Sequence, residues 1–260
     1  YIALIKANQP LQRLMVAGAG CKLALAIATN TAVLCMLYGG MMGNYDALYL
    51  PMMILGYVFS APFFVLTIRT SQKHGQKASL MRYVAVALVM YIGVLVLLLL
   101  WNPENPALNL ALFSTEGGFH LTLNLYTILF ILFFGVGYGA YYATADMPIP
   151  MVADCSDYET YRSGNYVPGI IGTLFSLVDK LVSSLSSTIV GLAAAAIGFT
   201  TTLPGGDDPF RPGMNWVVII LFCIVPMVAW GATLIAMKGY SLTGDKMKEI
   251  LKGGVTGILV

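Results

Sequence analysis

Six stretches of about 20 or more mostly apolar residues govern what this chain can fold into. A helix rising 1.5 Å per residue needs about 20 such residues to cross a hydrocarbon core roughly 30 Å thick. The stretches fall at about 14–41, 47–68, 80–101, 122–147, 169–198 and 214–237. In lipid every backbone N–H and C=O needs a partner within the protein, so spans of this kind fold as helices. The expectation is an all-α integral membrane protein, with a six-helix bundle over 1–237 and a tail over 238–260. Within the tail, SLTGDKMKEILK has the pattern of a short amphipathic helix at the membrane surface.

Composition agrees. Of 260 residues, 58% are hydrophobic and 10% charged, against about 25% charged in soluble domains. Lipid is therefore the main solvent, and nothing calls for a nucleic-acid partner. Cys21, Cys35, Cys155 and Cys223 are widely spaced without a CxxC pair, so neither a disulfide nor a metal site is expected. The opening YIALIKANQPLQR has no initiating Met and no cleavable signal, which reads as a piece of a longer chain.

Charge distribution sets an expected orientation. Of the fourteen Lys and Arg, eleven fall on the side that holds residues 1–13, the 69–82 turn, Arg162 and the tail. Arg211 alone falls on the other side, and Lys22 and Lys180 lie within the membrane. By the positive-inside rule both termini are cytoplasmic.

The stretch from Ala153 to Ser187 carries the chemistry. It opens as an expected loop bearing Asp154, Asp157, Glu159 and Arg162, and becomes an apolar helix after Pro168. About 11 residues further on stand Asp179 and Lys180. Ionisable groups at that depth cost several kcal/mol and persist where they face a cavity or a partner. Thr173, Ser176, Lys180, Ser183, Ser184 and Ser187 recur at three- and four-residue steps, stacking into a polar stripe. Such a stripe reads as the wall of a water-filled path. Adjacent helical residues point about 100° apart, so Asp179 needs a partner other than Lys180.

The first span offers one. Lys22, Ala26, Thr29 and Asn30 share a face of small and polar residues. Lys22 has two readings: it snorkels to the interface along its stem, or it pairs with Asp179. Gly18, Gly20 and the Gly39–Gly40 pair suggest close packing or a broken helix. In the fourth span, Gly135 and Gly139 form a GxxxG step for close helix approach. Beside it, Tyr138, Tyr141 and Tyr142 supply hydroxyls and flat faces suited to a sugar ring, and suit packing equally well. Pro148 and Pro150 are expected to end this helix. Trp101, Trp216 and Trp230 read as interfacial anchors. The turn around Asp207 and Asp208 is far too short for a calcium loop.

At MVADCSDYETYRSGN and GIIGTLFSLVDKLVSS the chain resembles the glycoside–pentoside–hexuronide:cation symporters, the melibiose-permease branch of the major facilitator superfamily. The leader KANQPLQRL resembles that family's Asn-Arg-Pro-Leu entry to its seventh helix. GVGYGAYYATADMPIPMVAD with its following DYE resembles the tenth helix, and YSLTGDKMKEI the Tyr-x-Leu-Thr ending. The resemblance implies that the 260 residues are the C-terminal six helices of a twelve-helix fold. It implies a sugar or glycoside substrate, coupling to Na⁺ or H⁺ with no resident cofactor, and an N-terminal half as partner. It places the main cation-binding carboxylates in that other half, and the protein in a plasma membrane of the bacterial inner-membrane type. Lys180 then matches a lysine near the sugar and cation sites. Asp154 and Asp157 with Arg162 match the cytoplasmic loop that closes the inner side in charge networks. The Arg69–Lys77 turn resembles the superfamily's basic loop between the second and third helices of each half. With Glu159 and Lys73 these are the expected cytoplasmic gate. Asp179 and Phe175 depart from the pattern, standing where melibiose-type members carry an apolar and a polar residue respectively.

On these grounds the expected substrate or coupling residues are Lys180, Asp179, Ser176, Thr173, Ser184, Tyr138, Tyr141, Tyr142, Asn30 and Lys22. The expected function is one half of a secondary transporter. The alternatives are a symporter of a non-sugar solute, or a degenerate half-transporter acting as a membrane scaffold. The chain has no HExxH, no GxSxG and no membrane-embedded His to support an intramembrane enzyme.

Overall fold

The computed structural model describes residues 2–114 and 120–258. It is almost entirely helical, with six helices long and apolar enough to cross a membrane. A short α1 (Ile2–Ala7) leads into α2 (Gln9–Ala28), and Asn8 caps the latter by accepting a hydrogen bond from Leu11 N at 3.0 Å. The first span then breaks, as part of the sequence reading anticipated, though not at its glycines. Asn30 is extended (φ −65°, ψ 129°), and its Oδ1 accepts from Ala32 N at 2.9 Å to start α3 (Thr31–Leu34). A wide π-helical turn, Cys35–Met41, completes the span. Gly39 and Gly40 serve contact in that turn. A Cβ on Gly39 would run into the Gly206 carbonyl, and one on Gly40 into the Met214 sulfur.

Two long helices follow, α4 (Tyr45–His74) and α5 (Gln76–Leu100), joined at Gly75, whose φ of 89° favours glycine. A short antiparallel pair, β1 (Phe113–Ser114) and β2 (His120–Leu121), lies in the next connection. α6 (Leu125–Thr144) carries the GxxxG step. Gly135 faces the Phe59 ring, and a Cβ on Gly139 would lie 2.7 Å from the Phe59 carbonyl oxygen, so α4 and α6 approach closely there.

The expected loop after Pro148 is instead a helix, α7 (Pro148–Ser163). Proline at the first helical position sacrifices no hydrogen bond and has its φ preset, so the same residue that stops one helix opens the next. Gly164, with φ 73°, closes α7 in the left-handed conformation. α8 (Pro168–Ala196) follows, and the last span comprises α9 (Met214–Val218), a π-helical turn (Ile219–Ile224) and α10 (Val225–Lys238). α11 (Gly244–Ile258) lies against α7.

The packing order positions the site. α2 sits between α10 and α8, α10 adjoins α5, and α6 packs on both α5 and α4. Gly20 lets α2 and α10 meet, since a Cβ there would strike Thr233 Oγ1 and lie 2.6 Å from the Ala229 carbonyl oxygen. Tyr91, Tyr141, Phe222 and Trp230 interlock behind this contact, with ring centroids 5.0–5.7 Å apart. Trp230 is therefore a core side chain rather than an interfacial anchor, whereas Trp216 is 58% exposed. α8 buries the smallest share of itself among the six spans. It touches mainly α2 and α7, and leaves the rest of its surface open.

Candidate functional site

The contact between α2 and α8 is a two-rung ladder. On the lower rung the Phe175 ring rests on Gly18, where a Cβ would come within 2.7 Å of it. One turn on, Lys22 Nζ lies 3.4 Å from Asp179 Oδ1. Of the two sequence readings of Lys22, the structure holds the ion pair. The pair is partly open, with side chains 33% and 44% exposed, and it stands near the middle of α8. Phe175 and Asp179, the two residues expected to depart from the family pattern, thus both face α2.

Around α8 from this ladder runs the polar ridge. Thr173, Ser176, Lys180, Ser184 and Ser187 are all exposed. Thr173 Oγ1 donates to the Gly169 carbonyl at 2.7 Å, and Ser183 Oγ to the Asp179 carbonyl at 2.9 Å, so these hydroxyls are satisfied by their own helix. Lys180 meets no carboxylate among the described residues. About 100° further round, Leu177, Leu181, Leu185 and Leu192 form a second exposed ridge, wholly apolar. The two ridges ask for different surroundings, water or a polar partner for one and lipid for the other.

Other expected site residues separate. Asn30 spends its side-chain oxygen on the α3 cap. Tyr141 is buried in the aromatic core, with no hydrogen-bond partner for its hydroxyl among the described residues. Tyr138 is also buried, stacked on the half-buried Tyr142 at 5.3 Å and meeting Tyr57 of α4 edge-on at 6.0 Å. Tyr57, which the sequence reading passed over, is the exposed member of this cluster. A tyrosine within the apolar run from Leu50 to Val58 is the signal that marks it.

The expected charge network at the other functional end is smaller than foreseen. Glu159, 3% exposed, accepts from Arg162 Nη2 at 2.7 Å and from Asn8 Nδ2 at 3.1 Å. Asn8 Nδ2 also reaches the Cys155 carbonyl at 3.2 Å, stapling α7 to the start of α2. Arg162 thus pairs with Glu159 and not with Asp154 or Asp157. Arg69 and Lys73 stay exposed and form no ion pair among the described residues. Lys77 is engaged instead, donating to the Tyr240 carbonyl at 2.7 Å and to the Lys238 carbonyl at 3.3 Å, where its charge suits the end of α10. Asp154 lines a cavity of about 440 Å³ between the 74–78 turn, α7 and the tail. Burial, and secondly the charge of Asp157, hold its carboxyl above the usual carboxylate range. Burial pushes the Cys155 thiol up to about 12. No cluster of three or more potential metal ligands occurs among the described residues.

The family described as MFS/sugar transport protein matches residues 2–244, which takes in all six spans. The chain belongs to that family. Two curated relatives align over shorter stretches. The chain is 32% identical over 110 residues to a protein of Pseudescherichia vulneris described as "Uncharacterized 29.9 kDa protein in crtE 3'region". It is 26% identical over 100 residues to the "Putative glycoside/cation symporter YagG" of Escherichia coli (strain K12). These matches cover 42% and 38% of this chain, and the chain covers 39% and 21% of the respective relatives. Membership of this family and the six apolar spans make this a multi-pass membrane protein.

Proposed function

We propose that this chain is the C-terminal half of a cation-coupled symporter for a sugar or glycoside, working by alternating access. The observation that carries the reading is the open polar ridge of α8 beside the mid-helix Lys22–Asp179 pair, in a chain of this family. Charged groups at that depth suit a face turned to water or to a second half, and substrate sites of such transporters lie near the midplane between repeats. Lys180, unpaired within the described residues, holds a carboxylate of the other half in one state and releases it in the other. Substrate and Na⁺ or H⁺ then bias the two states by binding them unequally. Ser176 and Ser184 flank Lys180 as hydroxyl contacts for a sugar, and Tyr57 and Tyr142 supply ring faces for it. The Asn8–Glu159–Arg162 staple closes the cytoplasmic end, in line with the gathering there of nearly all Lys and Arg. The relative named as a glycoside/cation symporter supports the substrate class. The membrane is a plasma membrane of the bacterial inner-membrane type.

The test is uptake of a labelled sugar panel into vesicles bearing the full-length protein, under imposed Na⁺ and H⁺ gradients. Gradient-driven uptake of one sugar, lost in Lys180→Ala, is the expected result. Full coupled uptake by that variant removes Lys180 from the mechanism. No gradient-driven uptake of any sugar overturns the substrate and coupling together.

A further inference from the structure

A groove of about 710 Å³ runs between α1–α2 and α10 at the basic end of the bundle. Lys6, Gln9, Gln12 and Arg13 line its outer part, with Val16 and Ile235 deeper in, and no carboxylate borders it. The backbone that carries Lys6 and the Arg13 guanidinium are both held in place. Gln12 Nε2 donates to the Ile5 carbonyl at 2.7 Å, fastening α1 to α2, and the Arg13 guanidinium lies against Gly239. At Val16 and Ala232 the groove passes into a second hollow of about 470 Å³ between α2, α8 and α10. That hollow is bounded only by apolar residues and glycine, Leu23, Val182, Leu185 and Val228 among them. It opens beside the leucine ridge of α8, on the side of the α2–α8 ladder away from Lys22 and Asp179. Together the two hollows follow α2 from Gln9 to Leu23, about 21 Å at 1.5 Å per residue. A bilayer of about 40–45 Å gives each leaflet, headgroup included, about this depth.

We propose that this continuous groove is a binding site for one anionic phospholipid, its phosphate on Lys6 and Arg13 and an acyl chain in the apolar hollow. Basic pockets between membrane helices select anionic headgroups, and each nearby Lys or Arg contributes about fivefold in affinity. The experiment is native mass spectrometry of the full-length protein with phosphatidylglycerol, with phosphatidylcholine of the same chains, and with soluble glycerol 1-phosphate. Phosphatidylglycerol is expected to be retained about 25-fold better than phosphatidylcholine. The Lys6→Gln, Arg13→Gln double variant is expected to erase that preference. Ala232→Trp, which blocks the junction of the two hollows, is expected to weaken both lipids while keeping their order. Equal retention of the two lipids, or an undiminished preference in the double variant, overturns the site. Displacement of lipid by glycerol 1-phosphate makes it a site for free phosphate instead. Failure of a phosphatidylglycerol carrying an acyl-chain diazirine to label α2, α8 or α10 shows that another segment fills the groove.

Discussion

Removing either member of the Lys22–Asp179 pair leaves the other ionised at mid-helix depth with no partner of its own. Because the pair is partly open, Lys22→Leu or Asp179→Leu is expected to cost on the order of 1 kcal/mol of stability. The charge swap Lys22→Asp with Asp179→Lys is expected to recover most of that loss, and Lys22→Leu with Asp179→Leu likewise. Thermal unfolding of the four variants checks this, and a double variant no better than the worse single one refutes the pairing. Asp154 obeys the opposite arithmetic. Its folded-state pKa is raised, so its ionised form disfavours the folded state. The penalty is absent at low pH, grows as pH rises through the unfolded value of about 4, and is complete above the folded value. Asp154→Asn is accordingly expected to leave Tm unchanged near pH 3.5 and to raise it modestly near pH 7. A lower Tm than the parent's near pH 7 would mean that the carboxylate is held by a favourable partner. The residues behind these predictions were unequally legible. That Asp179 needed a partner followed from helical geometry alone, which left Lys22 as a candidate. Asn8 and Glu159 lie 151 positions apart, and no local pattern joins them.

Among the elements, α2 packs closely on α10, and Gly20 sets the distance between them. Gly20→Val is expected to destabilise by about 1–3 kcal/mol, since the new side chain meets Thr233 and backbone at Ala229 rather than a flexible tip. Gly172→Ala on α8, with open space at its Cβ, is the matched control and is expected to be silent in the same unfolding assay. The spans themselves were readable because apolar length has one solution in lipid. α8 begins at Pro168, as its sequence suggests, and its polar ridge follows the three- and four-residue steps of the serines. α7 was not readable, because Pro148 and Pro150 signal an end as well as they signal a start. The broken first span was half readable. Its glycines advertised an irregularity, but the break falls at Thr29–Asn30, where an asparagine cap supplies the hydrogen bond that the interrupted helix lacks. The two tryptophans of the last span show the same limit. Trp230 is enclosed by Tyr91 and Tyr141 from other helices, and only the assembled bundle tells it apart from Trp216.

At the scale of the molecule, α8 turns one ridge of hydroxyls with Lys180 and one ridge of leucines outward, and the proposed function gives the first to water and the second to lipid. Substituted-cysteine labelling of the full-length protein in vesicles tests which is which. Ser176→Cys and Ser184→Cys are expected to react with a membrane-impermeant maleimide, and Leu181→Cys is expected to stay unlabelled. Cys21, Cys35, Cys155 and Cys223 are all buried, and the Cys155 thiol is pushed up to about 12, so these four add little background. Labelling of Leu181→Cys with the two serine positions silent would exchange the lipid and water sides. The narrow attachment of α8 to its neighbours also has a genetic reading. Along one helix, three interleaved sets of positions answer to three separate demands. Leu177, Leu181 and Leu185 tolerate any side chain of sufficient hydrophobicity. Phe175, Asp179 and Ser186 are bound to particular neighbours. Ser176, Lys180 and Ser184 are free to drift unless transport itself restrains them. Saturation mutagenesis of α8 scored twice, once for the amount of protein in the membrane and once for growth on its substrate, would return two periodic patterns out of phase. Positions silent in the first and intolerant in the second trace the path the solute takes.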